Sequence, residues 1–480
     1  MSFPPLLNYT ETTRQMTDVW SGYNHSMKLA DGELYDMENL SSNNYPLLST
    51  RDRRGTVATI ANPGGLASKN KLVYVSGTDL FYNNVKVNNI SLSTDTSMLP
   101  KQIISIGAYI VVFPDKMYFN TQNQSDYGYL EASFESVTDA DIDYAMCDIS
   151  GAEYDISDVS ATAPSSPSDG QYWIDTSNVP HVLKRYSATS SMWVQIPTSY
   201  VKISYTSIGV NFSVGDGITI SGCSAEDDQE ESNTELSAFA SQIATLNQKT
   251  VIQAKGDDFI VVIGIIDRAY TQQQGKITLQ RSVPSMDYVI EAQNRLWGCK
   301  FGIVGDGVVN EIYASKLGDF KNWNVFLGNA GDSYAASLGS DGVFTGAITY
   351  QGYPLFFKEN YLHKVYISST GAHQIDTIAL NGVQESSERS LTIANNVLYY
   401  KGRTAVYAYD GAMPIQISEP LGEQKYYHAT GGAIGDKYYI SMSSDINGAT
   451  GWNLFVFDSS KRLWHREDNC HAMFFAQSED

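Results

Sequence analysis

The stretch ANNVLYYKGRTAVYAYDG, from Ala394 to Gly411, shows the pattern that decides the fold. A polar turn precedes a short run of apolar and aromatic residues, and a second turn precedes another such run. Runs rich in Val and Tyr between Asn, Gly and Asp residues are typical of β-strands joined by tight turns. The stretch therefore predicts a β-hairpin.

The same pattern recurs along the chain. Further copies are SKNKLVYVSGTDLFYNN from Ser68, SIGAYIVVFPDKMYFN from Ser105, AQNRLWGCKFG with NEIYASKLGDFKNW from Ala292, YQGYPLFFKENYLHKVYI from Tyr350, and AIGDKYYISMSSD with NLFVFDSSKRLWHRED from Ala433. Markers at Lys69, Gly107, Gln293, Gly352, Asn395 and Gly435 lie about 38, 186, 59, 43 and 40 residues apart. A four-stranded propeller blade takes roughly 40 to 50 residues. The repeats predict an all-β fold, a six- or seven-bladed β-propeller.

One spacing is too long for a single blade, and an insertion of about 145 residues near Tyr127 to Pro284 explains it. We therefore predict an extended N-terminal arm at 1–54, a first propeller part at 55–126, an inserted β-rich domain at 127–284 and a second propeller part at 285–480. The final run AMFFAQ is expected to form a strand that completes the blade begun by GTVATIA near Gly55. A β-sandwich or unrelated hairpins are the alternative interpretation of the repeats.

The predicted insertion has its own pattern. Its part SPSDGQYWIDTSNVPHVLKRYSATSSMWVQI, Ser166 to Ile196, indicates a small hairpin module with Trp173, Tyr186 and Trp193 as its apolar nucleus. The strand runs that follow, with G-D-G and G-D-D turns, suggest a compact β-barrel.

Composition limits the classes of function. The formal net charge of −21 disfavours a surface that holds a phosphate backbone, although DNA could still pass an acidic wall without sequence-specific binding. The four cysteines are far apart and predict neither a zinc site nor a disulfide framework. The N-terminal residues do not resemble a signal peptide, and no apolar run is long enough to span a membrane. We expect a protein made in the cytoplasm, with no membrane insertion and no cofactor.

The sequence gives little indication of a catalytic site or a metal site. The segment DADIDYAMCDIS, Asp139 to Ser150, lacks the Gly and Glu that a calcium loop requires, and we expect no metal site. No nucleophile motif of the common hydrolases occurs, so no catalytic residue is assigned. Carboxylates of a propeller glycosidase remain an alternative, but their candidates fall mainly in predicted hairpin turns, where Asp has a structural role: Asp79, Asp115, Asp319 and Asp436. A second alternative is a glycan-binding module, with Trp173 and Trp193 as the stacking residues.

Two phrases resemble a known family. DGELYDMENLSSNNYPLLSTRDRRG, Asp31 to Gly55, is similar to the N-terminal region of virion proteins of tailed phages and prophages, where such a phrase precedes a β-propeller. MDYVIEAQNRLWGCKFG with NEIYASKLGDFKNW, Met286 to Trp323, resembles a blade phrase of phage tail hub, nozzle and stabilisation proteins. With the repeats, the resemblance covers roughly residues 17 to 126 and 285 to 478.

The resemblance implies a virion structural protein without enzymatic activity, often a ring of copies at or below the head-to-tail connector that seals or conducts DNA. Its implied partners are portal, adaptor or tail components, and its implied location is the virion. An extended arm typically gains order by lying on a partner surface. We therefore take five residues of the arm phrase as interaction candidates, Tyr35, Tyr45, Arg51, Arg53 and Arg54, with solvation of the arginines as the equal alternative.

Overall fold

The computed structural model describes residues 18–95, 100–224 and 242–478. It divides into two compact units, one formed by Met1–Lys86, Ser340–Val365 and Ile375–Asp480, the other by Val87–Gly339 and Tyr366–Gln374. The described part of the predicted arm contains four very short strands: β1 (Gly22–Tyr23), β2 (Glu33–Leu34), β3 (Leu40–Ser41) and β4 (Ser49–Thr50). The first pair is parallel and the second antiparallel.

Two four-stranded sheets follow the arm. They consist of β5 (Pro63–Lys69), β6 (Lys71–Ser76), β7 (Asp79–Tyr82) and β8 (Val85–Lys86), and of β9 (Gln102–Ile106), β10 (Tyr109–Phe113), β11 (Met117–Asn120) and β12 (Tyr127–Tyr129). Within each sheet every strand pairs antiparallel with the next strand along the chain. The strand β12 completes the second sheet, which therefore extends to Tyr129.

The insertion holds three further sheets. Its strands are β13 (Ala132–Glu135), β14 (Asp141–Cys147), β15 (Ile156–Ser160), β16 (Tyr172–Asp175), β17 (Val182–Ser187), β18 (Met192–Gln195), β19 (Tyr200–Ser204), β20 (Gly217–Ser221), β21 (Lys249–Val251), β22 (Ala254–Lys255), β23 (Phe259–Ile263), β24 (Tyr270–Gln272) and β25 (Thr278–Arg281). The hairpin module is present as the sheet β15-β16-β17-β18. The predicted barrel is instead two sheets, β13-β25-β20-β21 and β22-β23-β19-β14-β24, around one buried apolar core.

Four more sheets complete the chain, and each again has its strands in chain order. Their strands are β26 (Tyr288–Ala292), β27 (Arg295–Val304), β28 (Gly307–Ala314) and β29 (Tyr334–Ser337); β30 (Phe344–Tyr350), β31 (Tyr353–Lys358), β32 (Tyr361–Tyr366) and β33 (Gln374–Ala379); β34 (Thr392–Ala394), β35 (Val397–Lys401), β36 (Val406–Tyr409) and β37 (Ile415–Gln416); β38 (Tyr427–Ile434), β39 (Lys437–Ser443), β40 (Trp452–Asp458) and β41 (Leu463–Asp468). Two 3-10 turns lie at Glu388–Ser390 and Glu419–Leu421.

Local sequence explains these hairpins. Asn395 and Asn396 both adopt positive φ, 48° and 62°, between β34 and β35. Two consecutive left-handed residues form the turn whose twist matches an antiparallel pair, and Asn tolerates that conformation better than other residues with a side chain. The aromatic residues of the strands are then buried on both faces, as Tyr399 and Tyr400 are in β35.

The cores lie between consecutive sheets. One core joins β30–β33 to β34–β37 through residues such as Phe357 and Tyr400, and another joins β34–β37 to β38–β41. In the other unit, β9–β12 shares a core with β26–β29. Four-stranded sheets with their strands in chain order, three pairs of which share an apolar core within one unit, are typical of β-propeller blades. The fold class is therefore all-β and of the propeller type, with an inserted β-rich region.

The predicted closing strand is absent from the described residues. Neither 55–60 nor 470–478 forms a strand, and β5–β8 already has four strands without them. Backbone groups of the C-terminal run find other partners, because the Ala472 amide donates to Ser441 Oγ and the Met473 carbonyl accepts from Arg389. A short apolar run has strand composition, but strand structure also requires a free sheet edge.

Candidate interaction site: the docked N-terminal arm

The described part of the arm, residues 18–54, lies on the last sheet, β38–β41. Trp20, Tyr23 and Met37 are 6%, 5% and 5% exposed and belong to one apolar core with Phe455 and Trp464 of that sheet. Removing such side chains from water stabilises the contact by about 1.5–3 kcal/mol each. The arm is therefore an integral part of the core of this unit.

Trp20 and Tyr23 are anchors that the sequence did not predict. Their segment precedes the phrase on which the resemblance rests, and two aromatic residues in a short polar segment do not by themselves indicate burial. Met37, within the phrase, is also buried. Tyr35, one of the interaction candidates, has a side chain that is 51% exposed and stacks on His25 with 4.2 Å between ring centroids.

Backbone hydrogen bonds fix the register of the arm. The Asn39 amide donates to the carbonyl of Glu467 in β41, and the His25 amide donates to the carbonyl of Pro420 at 2.8 Å. Within the arm, the Arg51 amide donates to the Asn39 carbonyl at 3.0 Å. These bonds place the arginine-rich end of the phrase beside the end of β41.

Two of the three arginines pair with carboxylates at the end of β41. Arg54 lies 2.7 Å from Glu467 Oε2 and 2.8 Å from Asp468 Oδ2, and Arg51 Nη2 lies 3.1 Å from Asp468 Oδ2. Partial burial lowers the pKa of Arg54, but hydrogen bonds to Glu467 and Asp468 outweigh it, so the net shift is upward. We name these four residues, Arg51, Arg54, Glu467 and Asp468, the arginine clamp.

The remaining interaction candidates face outward. Arg53 is exposed and forms no ion pair or hydrogen bond within the described part of the chain. Tyr45 is 40% exposed and precedes Pro46 through a cis peptide bond. The structure thus brings Arg51 and Arg54 together on the protein's own last sheet, and leaves Arg53, Tyr35 and Tyr45 at the surface.

A buried polar anchor supports the middle of the arm. Ser42 Oγ donates a 2.5 Å hydrogen bond to Oδ2 of Asp458, a fully buried residue, and Lys461 Nζ lies 3.0 Å from the same oxygen. Burial raises the pKa of Asp458, but the hydrogen bonds from Ser42 and Lys461 outweigh it and the pKa is lowered overall. A buried carboxylate is stable only when paired in this way.

The second phrase forms a comparable junction in the other unit. Asn322 Nδ2 donates to Asp216 Oδ1 of the insertion at 2.9 Å and to Asp319 Oδ2 at 2.6 Å, while its Oδ1 accepts the Gly217 amide at 2.8 Å. Arg281 pairs with Asp216 at 2.5 Å. Since Asn322 is 0% exposed, the G-D-F-K-N-W segment fastens the insertion to the sheet β26–β29.

The predicted glycan-binding tryptophans lie in the hairpin module. Trp173 is 4% exposed, its Nε1 donates to the Ser160 carbonyl at 3.0 Å, and its ring meets the edge of Trp193 at 5.3 Å. Lys184 Nζ lies 5.0 Å from the Trp173 ring centre. Trp173 therefore has no free face for a sugar, contrary to the glycan hypothesis, and packs with Tyr186 and Trp193 as the apolar nucleus of the module.

The carboxylates considered for catalysis have structural partners. Asp115 forms a 2.7 Å ion pair with Lys101, both almost fully buried, and Asp79 pairs with Lys86 at 2.9 Å. The Asp319 carboxylate accepts from Asn322, whereas Asp436 contributes its backbone carbonyl, which accepts from Ser459 Oγ. Among the residues that the structure describes, no group of three or more His, Cys, Asp or Glu side chains is arranged to hold a metal ion. Nor is any helix there long and apolar enough to cross a membrane.

No protein-family model matches the sequence, and no curated protein matches it. Solved structures with some likeness include a Pyrococcus horikoshii acylaminoacyl peptidase (11% identity, 62% of this chain and 46% of that chain, TM-score 0.25) and a puromycin hydrolase (8%, 88% and 60%, TM-score 0.26). A phage phi92 endosialidase is another (9%, 92% and 53%, TM-score 0.17). The chain spans about half the length of these proteins, and such low TM-scores carry no argument about function.

Proposed function

We propose that the protein is a structural virion component of a tailed bacteriophage. It would form part of the tail or of the head-to-tail connector or nozzle, as one copy in a homo-oligomeric ring through which DNA passes. The observation that supports the proposal is that both phrases that resemble that class of virion protein serve to hold the fold together. In this role the protein catalyses no reaction, assembles in the host cytoplasm and ends in the virion.

The arm phrase supports this proposal through its contacts. Met37, Ser42, Arg51 and Arg54 all contact one sheet of the same chain. A rigid component needs such fastening, since a loose arm would leave the apolar face of its last sheet exposed. The phrase is therefore better explained by mechanical integrity than by catalysis.

The distribution of charge also supports a passage for DNA. The chain carries 53 acidic and 32 basic residues, and in the arginine clamp two of those basic residues are neutralised by carboxylates. A surface with an excess of negative charge repels the phosphate backbone and does not retain it. Such a surface suits a conduit, which has to let DNA slide without adhering.

Quantitative mass spectrometry of phage particles purified on a density gradient tests the proposal. The expected result is that the chain co-purifies with capsid and portal proteins, at a fixed number of copies per portal ring. Presence of the chain only in the lysate, and not in washed particles, would overturn the proposal. A non-structural protein of the same lysate is the control for carry-over.

A further inference from the structure

The docked arm covers a histidine of the last strand. His465 of β41 is fully buried, and its ring centroid lies 6.2 Å from that of Trp20 in the arm. Neither ring nitrogen of His465 has a well-formed hydrogen bond to a described residue, and Trp20 Nε1 lacks one as well. Buried polar groups normally have a partner, and leaving them without one is costly. Because Trp20 belongs to the arm, undocking the arm would give these nitrogens access to water.

The surroundings of His465 disfavour its charged form. Burial is the largest cause that lowers the pKa of His465 to about 4, and the positive charge of Lys437 on β39 lowers it further. The backbone of Leu40 in the arm and the carboxylate of Asp458 on β40 act in the opposite direction but are outweighed. While the arm is docked, the imidazole is therefore held neutral from both sides of the interface.

The charged neighbours of His465 also hold the arm. Lys437 Nζ donates to Asn43 Oδ1 at 2.5 Å, and Ser42 Oγ donates to Asp458 Oδ2 at 2.5 Å. Both contacts fasten the middle of the arm to β39 and β40. A positive charge on His465 would repel Lys437 at the point where Lys437 holds Asn43. Protonation of the imidazole and docking of the arm therefore oppose each other.

The other charged groups at this interface have partners. On β41, Glu467 accepts from Arg54 in the arginine clamp at 2.7 Å. Asp52 of the arm accepts from Asn43 Nδ2 at 3.1 Å, and Lys461 lies 3.0 Å from Asp458. Imidazole is the side chain that ordinarily changes its charge between pH 5 and 8. A response of the arm in that range is therefore expected to come from His465.

We propose that the N-terminal arm is an acid-released strap, held on the last sheet at neutral pH and freed when His465 takes up a proton. Once the arm has lifted, the imidazole is open to water and binds a proton as an ordinary histidine does. The state that binds protons more readily gains population as the pH falls. The inference concerns a conformational device of the fold and does not depend on a place in the virion.

Hydrogen exchange of the full chain at pH 7.5 and pH 5.0 tests the inference. Protection factors are compared, because they remove the intrinsic dependence of exchange on pH. The reporters are the amides of His25 and Asn39, which donate to the carbonyls of Pro420 and Glu467. Their protection should fall about 25-fold at pH 5.0, the ratio expected for an imidazole that titrates near 6.5 in the lifted arm and near 4 in the docked one.

Substitutions separate His465 from the other groups that respond to acid. In His465→Phe, an apolar ring of similar size, the same change of pH should lower the protection of the two reporters less than about 3-fold. His465→Gln, neutral at both pH values, repeats the test, and thermal unfolding verifies that each variant is folded. His471→Phe is the matched control. It removes an exposed imidazole of the same unit, keeps a ring to stack on Trp452, and should respond as the parent does.

Three results would overturn the inference. The first is protection of His25 and Asn39 that is unchanged at pH 5.0. The second is an equal loss in the parent and in both His465 variants, which would assign the response to carboxylates. The third is a parallel loss at the amide of Phe356, in the central strand β31 of another sheet, which would mean general unfolding. If the arm opens in acid but the chain is absent from virions, only the proposed function fails.

Discussion

Arg54 and Glu467 lie 413 positions apart in the sequence and 2.7 Å apart in the structure. The pair connects the end of the arm phrase to the last strand of the chain. With Arg51 and Asp468 it forms the arginine clamp, which holds the arm against the sheet whose core contains Trp20 and Tyr23. We therefore predict that a substitution that loosens the arm also destabilises the last sheet, β38–β41.

The clamp predicts a local effect of Arg54→Ala. The substitution leaves Glu467, whose side chain is 9% exposed, without its nearest cation, and should cost the docked arm about 1–2 kcal/mol. Exchange of the Asn39 and Arg51 amides should accelerate by about 5- to 30-fold, as measured by hydrogen exchange. Arg53→Ala is the matched control and should change these rates little. Equal effects of the two substitutions would contradict the role of the clamp.

Trp20 predicts a larger effect. Trp20→Ala should destabilise arm docking by about 3–5 kcal/mol, because it removes a large buried side chain and leaves a cavity beside His465. Limited proteolysis should then cut the arm much faster than in the parent protein, while the rest of the chain persists. Tyr35→Ala, at an exposed aromatic residue of the same arm, is the comparison and should leave the cleavage rate nearly unchanged. Similar rates for both variants would refute the assignment of Trp20 as an anchor.

Asn322 predicts an effect in the other unit. Asn322→Ala removes three hydrogen bonds and leaves the buried Asp216 carboxylate with one partner fewer, which should cost about 2–4 kcal/mol. Calorimetry should show that the midpoint temperature of thermal unfolding of this unit falls by about 5–10 °C. Asn329→Ala, in the exposed part of the same loop, serves as control. An unchanged transition in Asn322→Ala would mean that the junction does not hold the insertion.

His465 predicts a pH dependence. Its ring is fully buried in β41 without a well-formed hydrogen bond, and burial together with the charge of Lys437 lowers its pKa from 6.5 to about 4. In acid the unfolded chain takes up a proton near pH 6.5 while the folded chain does not, so stability falls as the pH drops from 6.5 to 4. A shift of this size corresponds to about 3 kcal/mol.

His465→Phe tests that dependence. Phe is an apolar ring of similar size and forfeits no well-formed hydrogen bond here, so stability at pH 7.5 should be kept or raised. Between pH 6.5 and 4 the variant should lose less stability than the parent, by up to about 3 kcal/mol. Urea unfolding at pH 7.5 and 4.5 measures both quantities. A pH profile identical to that of the parent would show that His465 does not titrate in this range.

The sequence predicted those features that depend on neighbouring residues. Aromatic runs between Asn and Gly turns indicate hairpins, and the turn at Asn395 and Asn396 forms as its residue types require. The partner of Arg54 could not be predicted, because Glu467 belongs to a distant strand and is one of many acidic residues in the chain. The burial of Trp173 was equally hidden, since the same alternation of aromatic and polar residues serves a binding face or a packed hairpin.

The central proposal is that the protein is a structural ring component of a phage tail, connector or nozzle, with its arm fastened to its own last sheet. Cryo-electron microscopy of purified particles tests this most directly. The account predicts a ring of propeller-like copies around the axis below the portal, with density for residues 18–54 on the β38–β41 sheet of the same copy. Particles whose tail and connector density is fully explained by other proteins would contradict it.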